Sequence, residues 1–174
     1  TWTDGDTQVQ ETYDRSTDGR LLTTSDPDGN VTTYGYSTAG LLTSVTTASG
    51  EQTTLTWTGT NLTSLTTTVS GVTVKRVIYT YDANRLSTVT TDLTPNDTTS
   101  DSDRVTTTYL YDDTPELNSN RIIRISQTGG ARLDIAYAVD PNGVYRVSSL
   151  TQYPESGVSR TTQISYNDAT KVAT

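Results

Sequence analysis

The chain has 174 residues, a formal net charge of −8, and no His, Cys, Met or Phe. Without His or Cys there can be no Ser-His-Asp triad, no Cys-His pair, no thiolate chemistry and no imidazole-held metal. Its acidity, with only Lys75 and Lys171 as lysines, argues against nucleic acid and anionic membrane surfaces as partners. No apolar run approaches the ~18 residues of a membrane-spanning helix.

What remains favours strands. Roughly 40 residues are Thr, far above average usage, and the large packing residues are 11 Tyr, Trp2, Trp57 and the aliphatics. Thr and Tyr suit a pleated surface with one wet face, so composition predicts a β protein with much surface and a thin core. At this length one domain is expected, spanning residues 1–174.

In chain order, residues 9–13 open as a strand ending at Tyr13, and Asp26-Pro27-Asp28-Gly29-Asn30 supplies a turn. Tyr34 and Tyr36, two apart, point to one side of the next strand. After a short turn, Ser37-Thr38-Ala39-Gly40, come Leu42 and Val45, then a turn at Ala48-Ser49-Gly50. Leu55 and Trp57 repeat the doublet, with Thr58-Gly59-Thr60-Asn61 as turn and Leu62/Leu65 beyond it. A further turn at Val69-Ser70-Gly71 leads into the clearest unit, residues 77–89. It carries Tyr79 and Tyr81, the polar turn Asp82-Ala83-Asn84, and Leu86/Val89. Residues 92–104 read as an acidic, solvated loop. Beyond it Tyr109/Tyr111 is followed by a longer turn containing Pro115, then Ile122/Ile125. Ile135/Tyr137 precedes Asp140-Pro141-Asn142-Gly143, an ordinary turn sequence, and then Val147/Leu150; residues 162–166 start another copy at Tyr166.

The anchors Tyr13, Tyr36, Trp57, Tyr81, Tyr111, Tyr137 and Tyr166 recur every 21 to 30 residues or so, the range of a repeat array. In five copies an apolar or aromatic residue precedes the anchor by two. The two apolar residues after each turn are three apart, which in a regular strand would put them on opposite faces. This is resolved where the first of them closes the turn or sits at a bulge, after which the strand proper begins. No segment has helical periodicity. The expected fold is all-β: an antiparallel β-meander repeat array of about a dozen strands, with aromatic and aliphatic residues on one face and Thr and Ser on the other.

Tyr34-Gly35-Tyr36-Ser37-Thr38-Ala39-Gly40-Leu41-Leu42 follows the pattern Tyr-x-Tyr-Asp-x-x-Gly-x-Leu with Ser for Asp, and Tyr79-Thr80-Tyr81-Asp82-Ala83-Asn84-Arg85-Leu86 follows it with a shorter turn lacking Gly. Partial copies lie at Tyr13-Asp14 and Tyr109-Leu110-Tyr111-Asp112. With the Asp-Pro-Asp-Gly turn between copies, the chain resembles the RHS/YD-repeat family of bacterial toxin shells, wall-associated proteins and teneurins. The resemblance implies a β-sheet ribbon that spirals into a shell or supports adhesion, and a structural or binding role without catalysis by the repeats. Complete shells in the family need many more repeats than fit here. The family's self-cleaving core pattern is absent around residues 140–143.

Other candidate chemistry is sparse. Paired carboxylates at Asp112/Asp113, and the group Asp92, Asp97, Asp101 and Asp103, are weighed as a glycosidase pair and set aside as solvated charges. Asp26, Asp28 and Asn30 have the alternate spacing of oxygen ligands in a calcium loop; Gly at the fourth place and no following Glu favour turn chemistry. No catalytic residue or cofactor is expected. Tyr13, Tyr34, Tyr36, Trp57, Tyr79, Tyr81, Tyr109, Tyr111, Tyr137 and Tyr166 are expected to form the packing spine between repeats, in preference to a glycan-stacking surface. The expected protein is an extracellular or cell-surface structural module. It is either part of a larger protein or a subunit that joins identical copies head to tail, with carbohydrate binding and adhesion as the alternative.

Overall fold

The structure, a computed structural model, describes residues 1–15, 19–96, 103–113, 120–155, 157–167 and 172–173. Two of the carboxylates weighed above, Asp97 and Asp101, and the turn at Pro115 lie outside them. The described residues form strands and turns only. β1 (Trp2–Thr3), β2 (Gln10–Tyr13), β3 (Leu21–Ser25), β4 (Val31–Tyr36), β5 (Leu42–Thr46), β6 (Gln52–Thr58) and β7 (Asn61–Val69) come first. β8 (Val72–Asp82), β9 (Arg85–Asp92), β10 (Arg104–Tyr111), β11 (Ile122–Gln127), β12 (Arg132–Val139), β13 (Tyr145–Tyr153) and β14 (Arg160–Gln163) follow. These fourteen strands lie in one sheet in chain order, the antiparallel meander that the sequence predicts. β15 (Tyr166–Asn167) and β16 (Val172–Ala173) pair separately.

By its contacts the chain divides into two units, Thr1–Tyr79 with Thr91–Arg104, and Thr80–Thr90 with Val105–Thr174. In the first, β6 shows the period of the sheet most plainly. Thr53, Leu55 and Trp57 are half-buried while Gln52, Thr54, Thr56 and Thr58 are exposed, because successive side chains point to opposite faces. In the second unit Tyr109, Ile125, Leu133 and Gln152 are successive cross-strand partners on one face.

The core is as thin as composition implies. Val77 is the one buried hydrophobic side chain among the described residues. The chain exposes 11411 Å², against about 8,300 Å² expected for a globular protein of 18.8 kDa. Stability must therefore come from cross-strand pairs. Thr hydroxyls supply several of them: Thr53–Thr67 at 2.9 Å, Thr80–Thr88 at 2.6 Å, Thr90–Thr106 at 2.9 Å and Thr151–Thr161 at 3.0 Å. Thr67 is buried and shares the face of Leu65 and Trp57, so that face is not purely aromatic and aliphatic as expected. A β-branched residue whose hydroxyl is satisfied by its cross-strand partner packs there without penalty.

Bulges are present in the copies at Leu42, Leu62, Ile122 and Val147. Tyr36 pairs with Leu42 and Tyr34 with Val45, leaving Thr43 as the extra residue. The same shift occurs opposite Tyr13, Trp57, Tyr111 and Tyr137. It returns the two apolar residues, three apart in sequence, to the face of the aromatic doublet. Most turns share one form: at Ser37 the N–H donates to Leu41 O at 2.8 Å and Gly40 N–H returns to Ser37 O at 2.9 Å. Gly40 takes φ +85°, which an L residue adopts only with strain, and Arg20 occupies the space where a Cβ would sit. Two-residue turns depart from this form, among them Ser70-Gly71, at φ 51° and 80°, and Ala83-Asn84 after Tyr81, at φ 47° and 64°.

The acidic stretch after β9 departs from expectation. Asp92 ends the strand and is buried, its carboxylate 2.6 Å from Arg76 Nη1. Arg76 Nη2 donates to Pro95 O at 2.9 Å, Thr94 N–H donates to Asp92 Oδ1, and Leu93 N–H closes onto Asp103 O. A carboxylate in such a site needs a cation and donors around it, and a sequence run of acids does not display them.

Candidate functional site: the aromatic row

The anchors hold their positions through their polar tips. Tyr36 Oη donates to Leu21 O at 2.9 Å, Trp57 Nε1 to Leu42 O at 2.8 Å, Tyr111 Oη to Leu86 O at 2.9 Å and Tyr137 Oη to Ile122 O at 2.9 Å. Each acceptor is the first apolar residue after the preceding turn. Leu21 is itself the cross-strand partner of Tyr13, Leu42 of Tyr36, and Ile122 of Tyr111. An anchor thus pairs with a residue whose carbonyl accepts from the next anchor. A bulge withdraws backbone groups from the ladder, and a half-buried carbonyl there needs a donor from elsewhere. Tyr and Trp provide ring area with a donor at the far end; Phe provides the ring alone. The chain has no Phe, and Trp57 replaces Tyr without losing the bond.

A second component escaped the sequence reading. Arg stands immediately before the first apolar residue in Arg20-Leu21, Arg85-Leu86, Arg121-Ile122 and Arg146-Val147. Its guanidinium lies over the next anchor's ring: Arg20 on Tyr36 at 5.8 Å, Arg85 on Tyr111 at 4.8 Å, Arg121 on Tyr137 at 5.7 Å and Arg146 on Tyr166 at 5.1 Å. Arg85 is also ion-paired to Asp113 at 2.7 Å, Arg121 to Asp112 at 2.9 Å and Arg146 to Asp140 at 3.0 Å. The fixed phase of Arg against the anchor was the available signal.

The remaining predicted residues fall around this row. Tyr34 and Tyr109 are half-buried opposite Val45 and Ile125, and Tyr79 and Tyr81 are half-buried on β8. Tyr13 and Tyr166, 40% exposed, are the outliers. Tyr13 donates to the Glu11 carboxylate, which holds its phenol above the usual range. Of the carboxylates weighed for catalysis, Asp92, Asp112 and Asp113 each face an Arg. Asp26 accepts from Asn30 with both oxygens, from N–H and Nδ2 at 2.8 Å each, and these bonds hold its pKa below the usual value. Asp28 is exposed, and the described residues contain no group of three or more acidic side chains that could hold a metal. Asp140 accepts from Asn142 N–H and Val144 N–H at 2.9 Å and is likewise lowered, chiefly by Val144. Residues 140–144 are a turn, as expected.

Residues 13–52, which span the first two bulges and the Tyr36–Leu21 bond, match the RHS Repeat family. That segment carries RHS-repeat sequence. A likeness of fold extends beyond the matched segment. Over 95% of its length the chain resembles 10% of the chain in the crystal structure of TcdB2–TccC3–TEV, at TM-score 0.57 and 14% identity. It resembles 10% of a chain in a Photorhabdus luminescens Tc holotoxin pore at TM-score 0.51 and 17% identity. It thus spans a tenth of the length of those chains, and the likeness is one of fold. No curated protein sequence matches it.

Proposed function

We propose that this chain is a non-enzymatic structural module, a stretch of RHS-repeat wall whose extracellular role is to build a shell or stalk. The observation that carries the reading is the anchor bond. At Tyr36, Trp57, Tyr111 and Tyr137 the anchor's donor satisfies a carbonyl of the preceding repeat, so such a repeat is complete only with its neighbour. Among the described residues, Asp92, Asp112 and Asp113 are engaged in ion pairs, which further supports a structural role. The ten aromatic residues of the row act as the packing spine. Where anchor rings lie against Arg and their tips on backbone carbonyls, they have little left to offer a sugar.

The sheet's edges, β1 and β14, each have one partner within the sheet. Each presents ladder groups to a further strand, from adjacent repeats of a longer chain or from an identical copy. Adjacent repeats are the reading supported by the likeness to much longer chains. Electron microscopy of the purified protein separates the two. Discrete small particles agree with the wall segment, whereas filaments or tubes would make the chain a self-assembling subunit. Turnover in a hydrolase screen would overturn the non-enzymatic role.

A further inference from the structure

Asn is followed two residues later by Thr at three places, Asn30-Val31-Thr32, Asn61-Leu62-Thr63 and Asn96-Asp97-Thr98, the acceptor pattern for N-linked glycans. In a Thr-rich chain such triplets arise by chance, and the structure separates them. Asn61 is half-buried and pairs with Thr58 across the turn from β6 to β7, while the Thr63 hydroxyl donates to Thr56 O at 3.1 Å. Asn96 is exposed, and Asp97 and Thr98 lie outside the described residues. Asn30 is exposed in the turn between β3 and β4, and it alone of the three has an acid two residues before it, the exposed Asp28. Asp28-Gly29-Asn30-Val31-Thr32 thus meets the stricter pattern of bacterial oligosaccharyltransferases, a carboxylate before the Asn as well as a hydroxyl after it.

The surroundings of Asn30 suit a sugar. Its Nδ2 carries two hydrogens and donates to Asp26 Oδ2 at 2.8 Å. A glycosylated amide keeps one N–H, so this bond survives the sugar. Asn30 also lines a groove of about 460 Å³, a size within the range of small-ligand sites. Register defines the groove's face. Asp26 N–H donates to Asn30 O and Thr24 pairs with Thr32, so the side chains of Thr24, Asp26, Asn30 and Thr32 share one side. Thr33 pairs with Thr46, which brings Thr47 beside Thr32, and the Thr47 and Ser49 hydroxyls are 2.8 Å apart. A sugar on Nδ2 therefore meets a lining of hydroxyls. The turns alternate between the two margins of the sheet: Ser37 to Leu41 lies on the margin of the bulges, and Asp26 to Asn30 and Thr47 to Glu51 on the other. A glycan at Asn30 grows away from the anchor bonds and the Arg–ring contacts.

We propose that Asn30 is the acceptor of an N-linked oligosaccharide whose first sugar lies in this groove. Transfer takes place on the exported chain before β4 pairs with β3. Nδ2 bonds to the anomeric carbon of a lipid-pyrophosphate-linked oligosaccharide. The bond from that carbon to the pyrophosphate oxygen breaks, its electron pair leaving with the lipid pyrophosphate, and a base of the transferase takes one Nδ2 proton. The assignment rests on the extracellular role proposed above, because the transfer needs an exported chain.

The test fuses an export signal to the intact chain and produces it in bacteria holding a single-subunit oligosaccharyltransferase and a lipid-linked oligosaccharide of known mass. Intact-mass spectrometry should show one added glycan, and peptide mapping should place it on Asn30. Asp28→Ala and Thr32→Val should each abolish the addition, with the circular dichroism of the purified variants unchanged. The glycosylated protein should keep or exceed the urea midpoint of the bare chain, because the sugar displaces no packed side chain. No addition in cells that modify a control acceptor, a glycan on Asn61 or Asn96 in its place, full occupancy in Asp28→Ala, or a lowered midpoint on glycosylation would each overturn the proposal. Export is supplied by the signal, so those outcomes strike the acceptor site and not the extracellular role.

Discussion

Replacing Tyr137 by Phe isolates the polar half of an anchor. The ring stays, and with it the area against Val147 and the face presented to Arg121. What disappears is the 2.9 Å bond from Oη to Ile122 O, which is part-buried. A neutral hydrogen bond contributes about 1 kcal/mol net, and a carbonyl left without a donor in a partly dry site costs about 1–3 kcal/mol. Water reaches part of this site, so the lower end applies and about 1–2 kcal/mol is expected. Urea unfolding followed by circular dichroism would show a lower midpoint with an unchanged slope. In thermal unfolding the same change is a fall of about 2–8 °C for a chain of this size. Tyr13→Phe is the internal control: its hydroxyl is exposed and bonds a surface carboxylate, so the midpoint should not move. If Tyr137→Phe matches the unsubstituted protein while Tyr137→Ala does not, ring packing alone holds the anchors and the bulge-carbonyl argument fails.

Three further outcomes follow from other parts of the chain. Asp92→Ala leaves the Arg76 guanidinium in a largely buried site with Pro95 O as a remaining acceptor, and should cost about 3–5 kcal/mol by chemical denaturation; a loss under 1 kcal/mol would mean that water replaces the carboxylate. Ala83→Asn puts a residue tolerant of left-handed backbone where φ is 47°, and should raise stability by about 0.5–1 kcal/mol, read as a higher urea midpoint. Acid should destabilise the fold. Asp134, held low chiefly by Arg124, and Asp26 and Asp140, held low by Asn30 and by the Val144 N–H, have folded pKa values below the ordinary 3.8. Their contribution is complete above that value and is lost as pH falls through the lowered ones, so the midpoint should drop below about pH 4 and stay flat above pH 5.

Much of this fold can be read from residues because its determinants are local. The doublet Tyr34/Tyr36 and the three-residue step from Leu42 to Val45 together demand a bulge, and the register contains one. Turns ending in Gly were equally plain. The Arg–ring contacts were hidden because the two members are far apart in sequence and meet only across the bulge, as Arg20 meets Tyr36. Burial of Asp92 is hidden for a related reason. Its environment is set by Arg76 on the neighbouring segment and by the chain folding back at Pro95, while the residues beside it in sequence are polar. Thr67 shows the limit of treating Thr as a wet-face residue: opposite another Thr it can be buried.

Stability passes between neighbouring repeats through the anchors, without a shared core. Native-state hydrogen exchange on Tyr36→Ala tests it most directly. The account predicts lost protection in β3, β4 and β5, whose ladder Tyr36 and the Leu21 carbonyl join, with protection in β11, β12 and β13 retained. Equal loss of protection in all fourteen strands would contradict it, because the chain would then unfold as one cooperative body.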